Sequence, residues 1–278
     1  MKKILILLFS VLTFSTQAQK SCCALVSSTD AFAALSEEEA FRLSHENPLP
    51  FEYKSEVGKM ISFPTADGKV ANGFLLKSAK KSNKWLIVYQ EWWGLNDYIK
   101  KQAEVFYNDL DGVNVLALDM YDGKIATNRD DAGKYMQEAK EERLNAIIEG
   151  MSKYVGKKAQ ITSVGWCFGG GLSLKSALIT GKKSVGCVMY YGMPVKDVAQ
   201  LQTLNCDVLG LFAGREKWIS KEVVDDFEKN MKAAAKTLTL KSYDAEHAFA
   251  NPSNPNFDKE ATADAYKLAI DYLKKKLK

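Results

Sequence analysis

The stretch "SVGWCFGGG" (Ser163–Gly171) places one cysteine among four glycines, directly after an apolar run that has the length of a β-strand. A glycine two residues before and two residues after Cys167 allows a tight turn between a strand and a helix, because Cβ atoms there would collide with neighbouring backbone. The pattern predicts a nucleophile exposed at the tip of this turn, at the carboxyl edge of a sheet where ligands bind. Taken alone, it fits a glycine-rich turn around a buried cysteine equally well.

The chain around this turn alternates apolar strands with amphipathic helices. An opening hairpin is predicted from "GKMISFPT" and "KVANGFLLK", joined through Ala66–Gly68. Six further strands are predicted from "KWLIVYQ", "VNVLALDMY", "AQITSVGW", "SVGCVMYYG", "CDVLGLFAG" and "TLTLKSYD". One long charged helix is predicted over residues 130–154. The alternation predicts an α/β domain over residues 56–278, with a mostly parallel twisted sheet and helices on both faces.

The first 18 residues have the pattern of a secretory signal peptide. Two lysines precede the apolar run Ile4–Phe14, and Thr16–Ala18 ends in the small residues that a signal peptidase accepts. The sequence therefore predicts cleavage after Ala18 and export, to a periplasm or outside the cell, with no membrane association afterwards. A retained membrane anchor is the alternative.

Residues 19–55 are predicted to form an N-terminal extension that wraps on the domain. Within it, "LSEEEAFRL" predicts a short helix that Ser36 caps, with Glu39 completing a capping box. His45 follows this helix and is expected at the surface.

The composition excludes several classes of protein. With 46% hydrophobic residues, 26% charged residues and a formal net charge of +4 over 278 residues, the chain is an ordinary globular protein. It has no basic cluster with interleaved aromatic residues, so no nucleic-acid partner is predicted. Neither a cofactor nor a metal site is predicted, and the sequence leaves the oligomeric state open, a monomer included.

The five cysteines are an odd number, so at least one thiol is free or pairs between chains. Cys187 and Cys206 lie in strand-like runs and are expected to be buried and inert. Cys22 and Cys23 are adjacent near the N-terminus, and the sequence does not indicate whether they are oxidised. Cys167 is therefore the unusual cysteine of the chain.

A cysteine nucleophile needs a base, and the chain contains two histidines. His247 lies in "YDAEHAFAN", after the last predicted strand and before the last helix, where an α/β hydrolase carries its histidine. The expected third member is a carboxylate after "CDVLGLFAG", and Glu216 occupies that loop. Asp207 is the rival, but it opens the strand and would lie at the opposite edge. A solvated surface acid is the alternative interpretation of Glu216.

On these residues the chain resembles the dienelactone hydrolase family of the α/β-hydrolase superfamily, over roughly residues 58–277. The supporting stretches are "VYQEWWGLND", "LDMYDGK", "VGWCFGGG", "LFAGREKWI" and "YDAEHAFAN". The resemblance implies that Glu91 contacts the resting Cys167 and exchanges that bond when substrate enters, helping to form the thiolate. The backbone amides of Trp92 and Phe168 are the expected donors to the oxyanion.

The sequence also departs from the family pattern. The family's usual acid is aspartate, whereas this chain has Glu216. Better-studied members clamp a substrate carboxylate with two arginines, and neither corresponding stretch here holds one, although Lys124 or Arg129 could reach inward. Trp93 and Trp218 are candidates for the wall of the substrate pocket.

These observations predict an exported hydrolase that cleaves a carboxylic ester or lactone, its small-molecule substrate, through a Cys167–His247–Glu216 triad and an acyl-enzyme. Two alternatives remain. One is a non-catalytic binding protein that uses the same crevice. The other is a thiol redox protein, although the chain has no Cys-x-x-Cys motif.

Overall fold

A computed structural model describes residues 27–278 of the chain. The predicted signal peptide and the pair Cys22–Cys23 lie outside the described residues. Within the described part, no helix is both long enough and apolar enough to span a bilayer.

Eight strands of the described chain form one mixed sheet. They are β1 (Lys59–Pro64), β2 (Val70–Leu76), β3 (Lys84–Tyr89), β4 (Asn114–Leu118), β5 (Gln160–Trp166), β6 (Ser184–Tyr190), β7 (Val208–Ala213) and β8 (Leu238–Tyr243). Their order across the sheet is β1-β2-β4-β3-β5-β6-β7-β8. The pair β1–β2 is an antiparallel hairpin and β2 runs antiparallel to β4, whereas β3 to β8 are parallel. The predicted hairpin and the mostly parallel sheet are confirmed.

Nine α-helices accompany the sheet within the described residues. They are α1 (Ser28–Leu35), α2 (Glu39–Leu43), α3 (Asp97–Asp109), α4 (Arg129–Glu138), α5 (Glu141–Tyr154), α6 (Phe168–Thr180), α7 (Val198–Gln202), α8 (Lys221–Ala233) and α9 (Lys259–Lys276). Every residue of β4 and five consecutive residues of β3 are buried. Since successive side chains of a strand point to opposite faces, the sheet is covered on both faces, as predicted.

Two predictions about local structure are wrong. The single long helix over residues 130–154 is two helices, because the backbone leaves the helical conformation at Ala139 and Lys140. Ser36 does not cap the start of a helix; it ends α1, where its hydroxyl donates to the carbonyl of Ala33 over 2.6 Å. Serine serves at either end of a helix, since its hydroxyl can accept from an amide or donate to a carbonyl.

The segment Ser28–His45, which contains α1 and α2, packs against the carboxyl end of the sheet. Phe32 lies against Phe168 with ring centroids 6.1 Å apart, and Phe41 lies edge-on against Trp92 at 5.6 Å. Both phenylalanines are fully buried. This N-terminal segment therefore covers the end of the sheet at which Cys167 lies.

Candidate active site

Cys167 lies at the turn between β5 and α6 in a backbone conformation that non-glycine residues rarely adopt. Its φ angle is +57°, and its amide donates to the carbonyl of Tyr190 over 3.0 Å. A Cβ atom on Gly165 would overlap the carbonyl oxygen of Gly169, and one on Gly169 would overlap that of Gln90. The two flanking glycines are therefore required by contacts with backbone, as the sequence pattern predicts.

His247 and Glu216 come from loops that follow neighbouring strands. Glu216 follows β7, His247 follows β8, and Nδ1 of His247 lies 2.6 Å from Oε2 of Glu216. The Glu216 side chain is only 1% exposed, so its interpretation as a solvated surface acid is wrong. Asp207 precedes β7 and binds Lys276 over 2.6 Å, which places it at the opposite edge of the sheet, as expected.

The structure brings His247 and Cys167 together. A ring nitrogen of His247 lies within 4.8 Å of Sγ of Cys167. Because Nδ1 is bonded to Glu216, Nε2 is the nitrogen that remains for the thiol, and Nε2 has no hydrogen-bond partner in the protein. A carboxylate, an imidazole and a thiol thus follow one another in the order that nucleophilic catalysis uses.

Glu91 follows β3 by two residues and is buried next to this group. Its Oε2 accepts a hydrogen bond of 2.5 Å from Nδ2 of Asn251. Burial raises the pKa of Glu91 from 4.5 to about 7, against the opposing effects of His247 and Asn251. At neutral pH the carboxyl group therefore exchanges a proton readily.

The protonation of the other two groups follows from their neighbours. Burial disfavours a charged ring at His247, but the Glu216 carboxylate and Cys167 more than offset it and raise the pKa of His247 well above 6.5. Burial raises the pKa of Cys167, in spite of the adjacent His247. The Glu216 carboxylate thus favours the charged ring at His247, while burial favours the neutral thiol at Cys167.

The sequence predicted His45 at the surface, and this prediction is wrong. The residue is 2% exposed and lies inside the site. Its ring lies 5.2 Å from that of His247 and 4.4 Å from Trp92, centroid to centroid. Its Nδ1 lies 2.7 Å from the carbonyl of Phe41, while Nε2 is buried without a hydrogen-bond partner. Burial lowers the pKa of His45 to about 3, so its ring is neutral. The expectation failed because the packing of α2 against the sheet carries the residue inward.

The sulfur of Cys167 is not open to solvent, contrary to the expectation from the turn. The residue is 2% exposed, since the N-terminal segment packs over this end of the sheet. A cavity of about 310 Å³ reaches the site at the carboxyl group of Glu91. Glu91 and Asn251 line it, together with apolar residues such as Ile99, Val105 and Trp166.

The remaining predicted site residues are distributed as follows. Trp92 and Trp93 are buried and pack on each other with ring centroids 4.9 Å apart, and Trp218 contacts Phe41 at 5.1 Å. Lys124 points elsewhere: its Nζ lies 2.6 Å from the carboxylate of Glu138, as a half-exposed ion pair. Lys124 thus does not take the place of the arginine clamp in this structure.

Other predicted residues lie around the site or away from it. Phe168 is the first residue of α6, so its amide has no partner within the helix. Arg129 pairs with Glu46 at 3.8 Å. Cys187 is buried, as expected, with a pKa raised to about 12 by burial, whereas Cys206 is only half-buried.

Three residues at the site were not predicted from the sequence. His45 carried no pattern that distinguishes it from a surface histidine. Asn251 lay in a quoted stretch, but nothing in the sequence paired it with Glu91. Tyr191 directly follows β6, has a φ of +35° and contacts the His247 ring at 5.0 Å. Its position after a parallel strand was the signal that could have indicated it.

Comparison with known proteins agrees with this geometry. The family model of the dienelactone hydrolase family matches residues 71–277. The protein usf of Aquifex pyrophilus is 27% identical over 239 residues, which cover 80% of this chain and 100% of the relative. Carboxymethylenebutenolidase 1 of Cupriavidus pinatubonensis is 22% identical, over 77% of this chain and 95% of its own. The crystal structure of a dienelactone hydrolase-like promiscuous phosphotriesterase from metagenomic libraries superposes with a TM-score of 0.69 at 16% identity, covering 80% of this chain and 100% of the other.

The fold and the family match define an α/β hydrolase that acts on carboxylic esters. The chain belongs to the dienelactone hydrolase family. The match begins at residue 71, so the segment that carries His45 lies outside it.

Proposed function

We propose that this protein hydrolyses a carboxylic ester or lactone through a Cys167–His247–Glu216 triad. The observation that carries the proposal is the chain of contacts from the Glu216 carboxylate through His247 to the sulfur of Cys167. All three groups follow the carboxyl ends of parallel strands, where open α/β sheets bind ligands.

The first step is formation of the thiolate. Because the Glu216 carboxylate favours the charged form of His247, Glu91 is the better acceptor for the thiol proton, and its pKa of about 7 suits that role. The imidazolium then stabilises the thiolate that remains on Cys167. This assignment agrees with the role that family resemblance implies for Glu91.

Acylation and deacylation follow from the same groups. The thiolate attacks the carbonyl carbon, and the amides of Trp92 and Phe168 hold the negative oxygen that develops. His247 gives its proton to the departing alkoxide, which leaves a thioester on Cys167. Neutral His247 then takes a proton from water as that water attacks the thioester, and the sulfur departs as a thiolate. Glu91 returns its proton to the sulfur, which restores the thiol as the acid product leaves.

The substrate class follows from the cavity that reaches Glu91. Its lining is largely apolar, with Lys101 as a cation among the lining residues and no arginine. A site without a guanidinium fork binds a substrate carboxylate less specifically. We therefore expect neutral esters or lactones with an apolar group to be better substrates than carboxylated dienelactones.

The experiment is a hydrolysis assay on a panel of short-chain aryl esters and enol-lactones. Cys167→Ala should lower kcat by more than about a thousandfold. Cys206→Ala removes a thiol at the opposite end of β7 and serves as the matched control, with activity expected near that of the unmodified protein. Comparable turnover in Cys167→Ala and the unmodified protein would contradict the proposal, and ligand-induced stabilisation without turnover would favour the binding-protein alternative.

We also propose that the chain is exported, with cleavage after Ala18. The support is the charged start, the short apolar run and the small residues before the proposed cleavage site. N-terminal sequencing of the protein recovered from a periplasmic fraction should begin at Gln19. Recovery from the cytoplasm with Met1 or Lys2 at the N-terminus would contradict export.

A further inference from the structure

Three buried side chains from separate parts of the fold converge on one point. His45 follows α2, Cys167 lies at the turn before α6, and His247 follows β8. One nitrogen of each ring and the sulfur all lie within 4.8 Å of one another. The triad explains two of these residues but does not use His45.

In each imidazole Nδ1 is already engaged, so Nε2 is the nitrogen that remains for a ligand at this point. A carbonyl oxygen can only accept, so Nδ1 of His45 carries the proton that it donates to Phe41, which leaves a lone pair on Nε2. Nδ1 of His247 is held by Glu216 in the same way. Neither Nε2 has a hydrogen-bond partner, although both residues are more than nine-tenths buried. A buried polar atom without a partner is costly, and a ligand would remove that cost.

We propose that His45, Cys167 and His247 form a binding site for Zn²⁺, and that Zn²⁺ in this site blocks the hydrolase. Two imidazole nitrogens and one thiolate are ligands that zinc prefers. Tetrahedral zinc holds such atoms about 3.5 Å apart, so the three side chains need to approach by about an ångström. No metal site was predicted from the sequence, and His45 was expected at the surface.

The surroundings of the site fit a metal centre. Histidine ligands of zinc usually donate their second N–H to a carboxylate or a backbone carbonyl, which fixes the ring. The Glu216 carboxylate is the acceptor for Nδ1 of His247, and the carbonyl of Phe41 is the acceptor for Nδ1 of His45. The fourth position is left for a water molecule. Hard cations such as Mg²⁺ prefer oxygen ligands and are not expected to bind.

Binding involves no electron transfer. Sγ and the two Nε2 atoms each donate a lone pair to the metal, the thiol proton of Cys167 goes to solvent, and His247 also releases its Nε2 proton when it is charged. The lone pair on the thiolate sulfur of Cys167 is then bonded to zinc and cannot attack a carbonyl. The blocking effect rests on the proposed function, whereas metal binding itself does not.

The first test uses Co²⁺ as a spectroscopic substitute for Zn²⁺ with the full chain. Co²⁺ should give a thiolate-to-cobalt charge-transfer band and the strong visible bands of tetrahedral coordination, and Zn²⁺ should displace both. His45→Phe keeps an aromatic ring and removes the ligand nitrogen, and His45→Asn keeps a donor near the Phe41 carbonyl. Both should weaken Co²⁺ binding at least about tenfold. Cys167→Ser should abolish the charge-transfer band.

Two control variants test the other thiols except the buried Cys187. Cys206→Ser and the double variant Cys22→Ser, Cys23→Ser should keep the full cobalt spectrum. Loss of the spectrum in either control, or its persistence in Cys167→Ser, would overturn the proposal. So would tight binding that is unchanged in both His45 variants.

The second test measures ester hydrolysis during a Zn²⁺ titration, with Mg²⁺ as the control cation. Zn²⁺ should abolish turnover, and a chelator should restore it. With the activity of each variant expressed relative to its own metal-free rate, the half-inhibiting Zn²⁺ concentration should be at least about tenfold higher in each His45 variant than in the unmodified protein. Hydrolysis that persists with the cobalt site filled would overturn the blocking effect. If the metal-free protein hydrolyses no ester at all, the proposed function fails while the cobalt spectra still decide the metal site.

Discussion

The charge states of three side chains at the candidate site depend on burial and on each other. Glu91 and Cys167 are pushed toward their neutral forms, whereas Glu216 holds His247 in its charged form. A substitution at one of these positions should therefore alter the pH behaviour of the others as well as the rate.

Glu216→Gln keeps the size of the side chain and removes its charge. We expect kcat to fall about a hundredfold or more, because the imidazolium loses its counter-charge and its fixed orientation. The folded pKa of His247 lies above its unfolded value of 6.5, so the ion pair contributes stability that is fully present below pH 6.5 and is lost as the pH rises through the folded pKa. The loss of stability in Glu216→Gln should therefore be largest in acid, as measured by chemical unfolding at several pH values. Glu228→Gln, an exposed residue of α8, is the control, and an equal loss at every pH would contradict the assignment.

Glu91→Gln tests the raised pKa of this carboxyl group. Between pH 4.5 and about 7 the unfolded chain ionises Glu91 while the folded protein keeps it protonated, so the free energy of unfolding falls by up to about 3 kcal/mol as the pH rises. The free energy of unfolding of Glu91→Gln should not fall in this way. Its difference from that of the unmodified protein should therefore grow up to about pH 7 and then stay constant. Its kcat/KM should also lose the acid limb near pH 7. A stability difference from the unmodified protein that does not change with pH would refute this, and exposed Glu149→Gln should follow the unmodified protein.

At the scale of elements, the turn between β5 and α6 is specified by its glycines. Gly165→Ala introduces a Cβ atom into the backbone of Gly169, which neither the strand nor the helix can avoid without moving. We expect a loss of more than about 3 kcal/mol, or roughly 6–12 °C in Tm for a chain of this size.

Gly133→Ala in α4 is the matched control, because its Cβ would make only ordinary van der Waals contacts, with the side chain of Arg42 at 3.4 Å and with the carbonyl oxygen of Ser36 at 3.6 Å. It should be neutral or stabilise by up to about 1 kcal/mol, since alanine is the better helix former. Equal effects of the two substitutions on Tm would contradict the steric argument.

The elements that could be predicted are those whose pattern is local. Cys167, Glu216 and His247 each follow an apolar strand, and parallel strands end at one edge of the sheet, so their proximity followed from their order. The break between α4 and α5 was missed because Ala139 and Lys140 carry no glycine or proline signal. His45 was missed because its position depends on how a segment without a strong periodic pattern packs on a distant surface. Its role and those of the triad stay predictions until the variants are measured.

At the scale of the whole molecule, the N-terminal segment Ser28–His45 packs over the end of the sheet at which the sulfur of Cys167 lies. Phe41→Ala should loosen this cover, because the ring is fully buried against Trp92 and Trp218. Removing a buried phenylalanine costs about 3–5 kcal/mol, and a local loss of that size should raise the rate of Cys167 alkylation by iodoacetamide at least about tenfold.

Phe63→Ala in β1 is the matched control, since this ring is also buried but packs near Tyr154 at 5.5 Å. It should lower Tm comparably without a similar gain in Cys167 labelling, which peptide mass spectrometry can assign. Equal labelling of Cys167 in both variants would mean that global unfolding, rather than the cover, limits access.

The contact between His45 and His247 joins the beginning of the described chain to a loop near its end. A nascent chain that ends before His247 would hold Cys167 without the imidazole of the triad, and a chain truncated past His45 would hold it without part of its cover. The thiol would then stand open to oxidants and electrophiles until synthesis and folding are complete. Oxidation of Cys167 should accordingly be more frequent in chains that have not completed folding than in the folded protein.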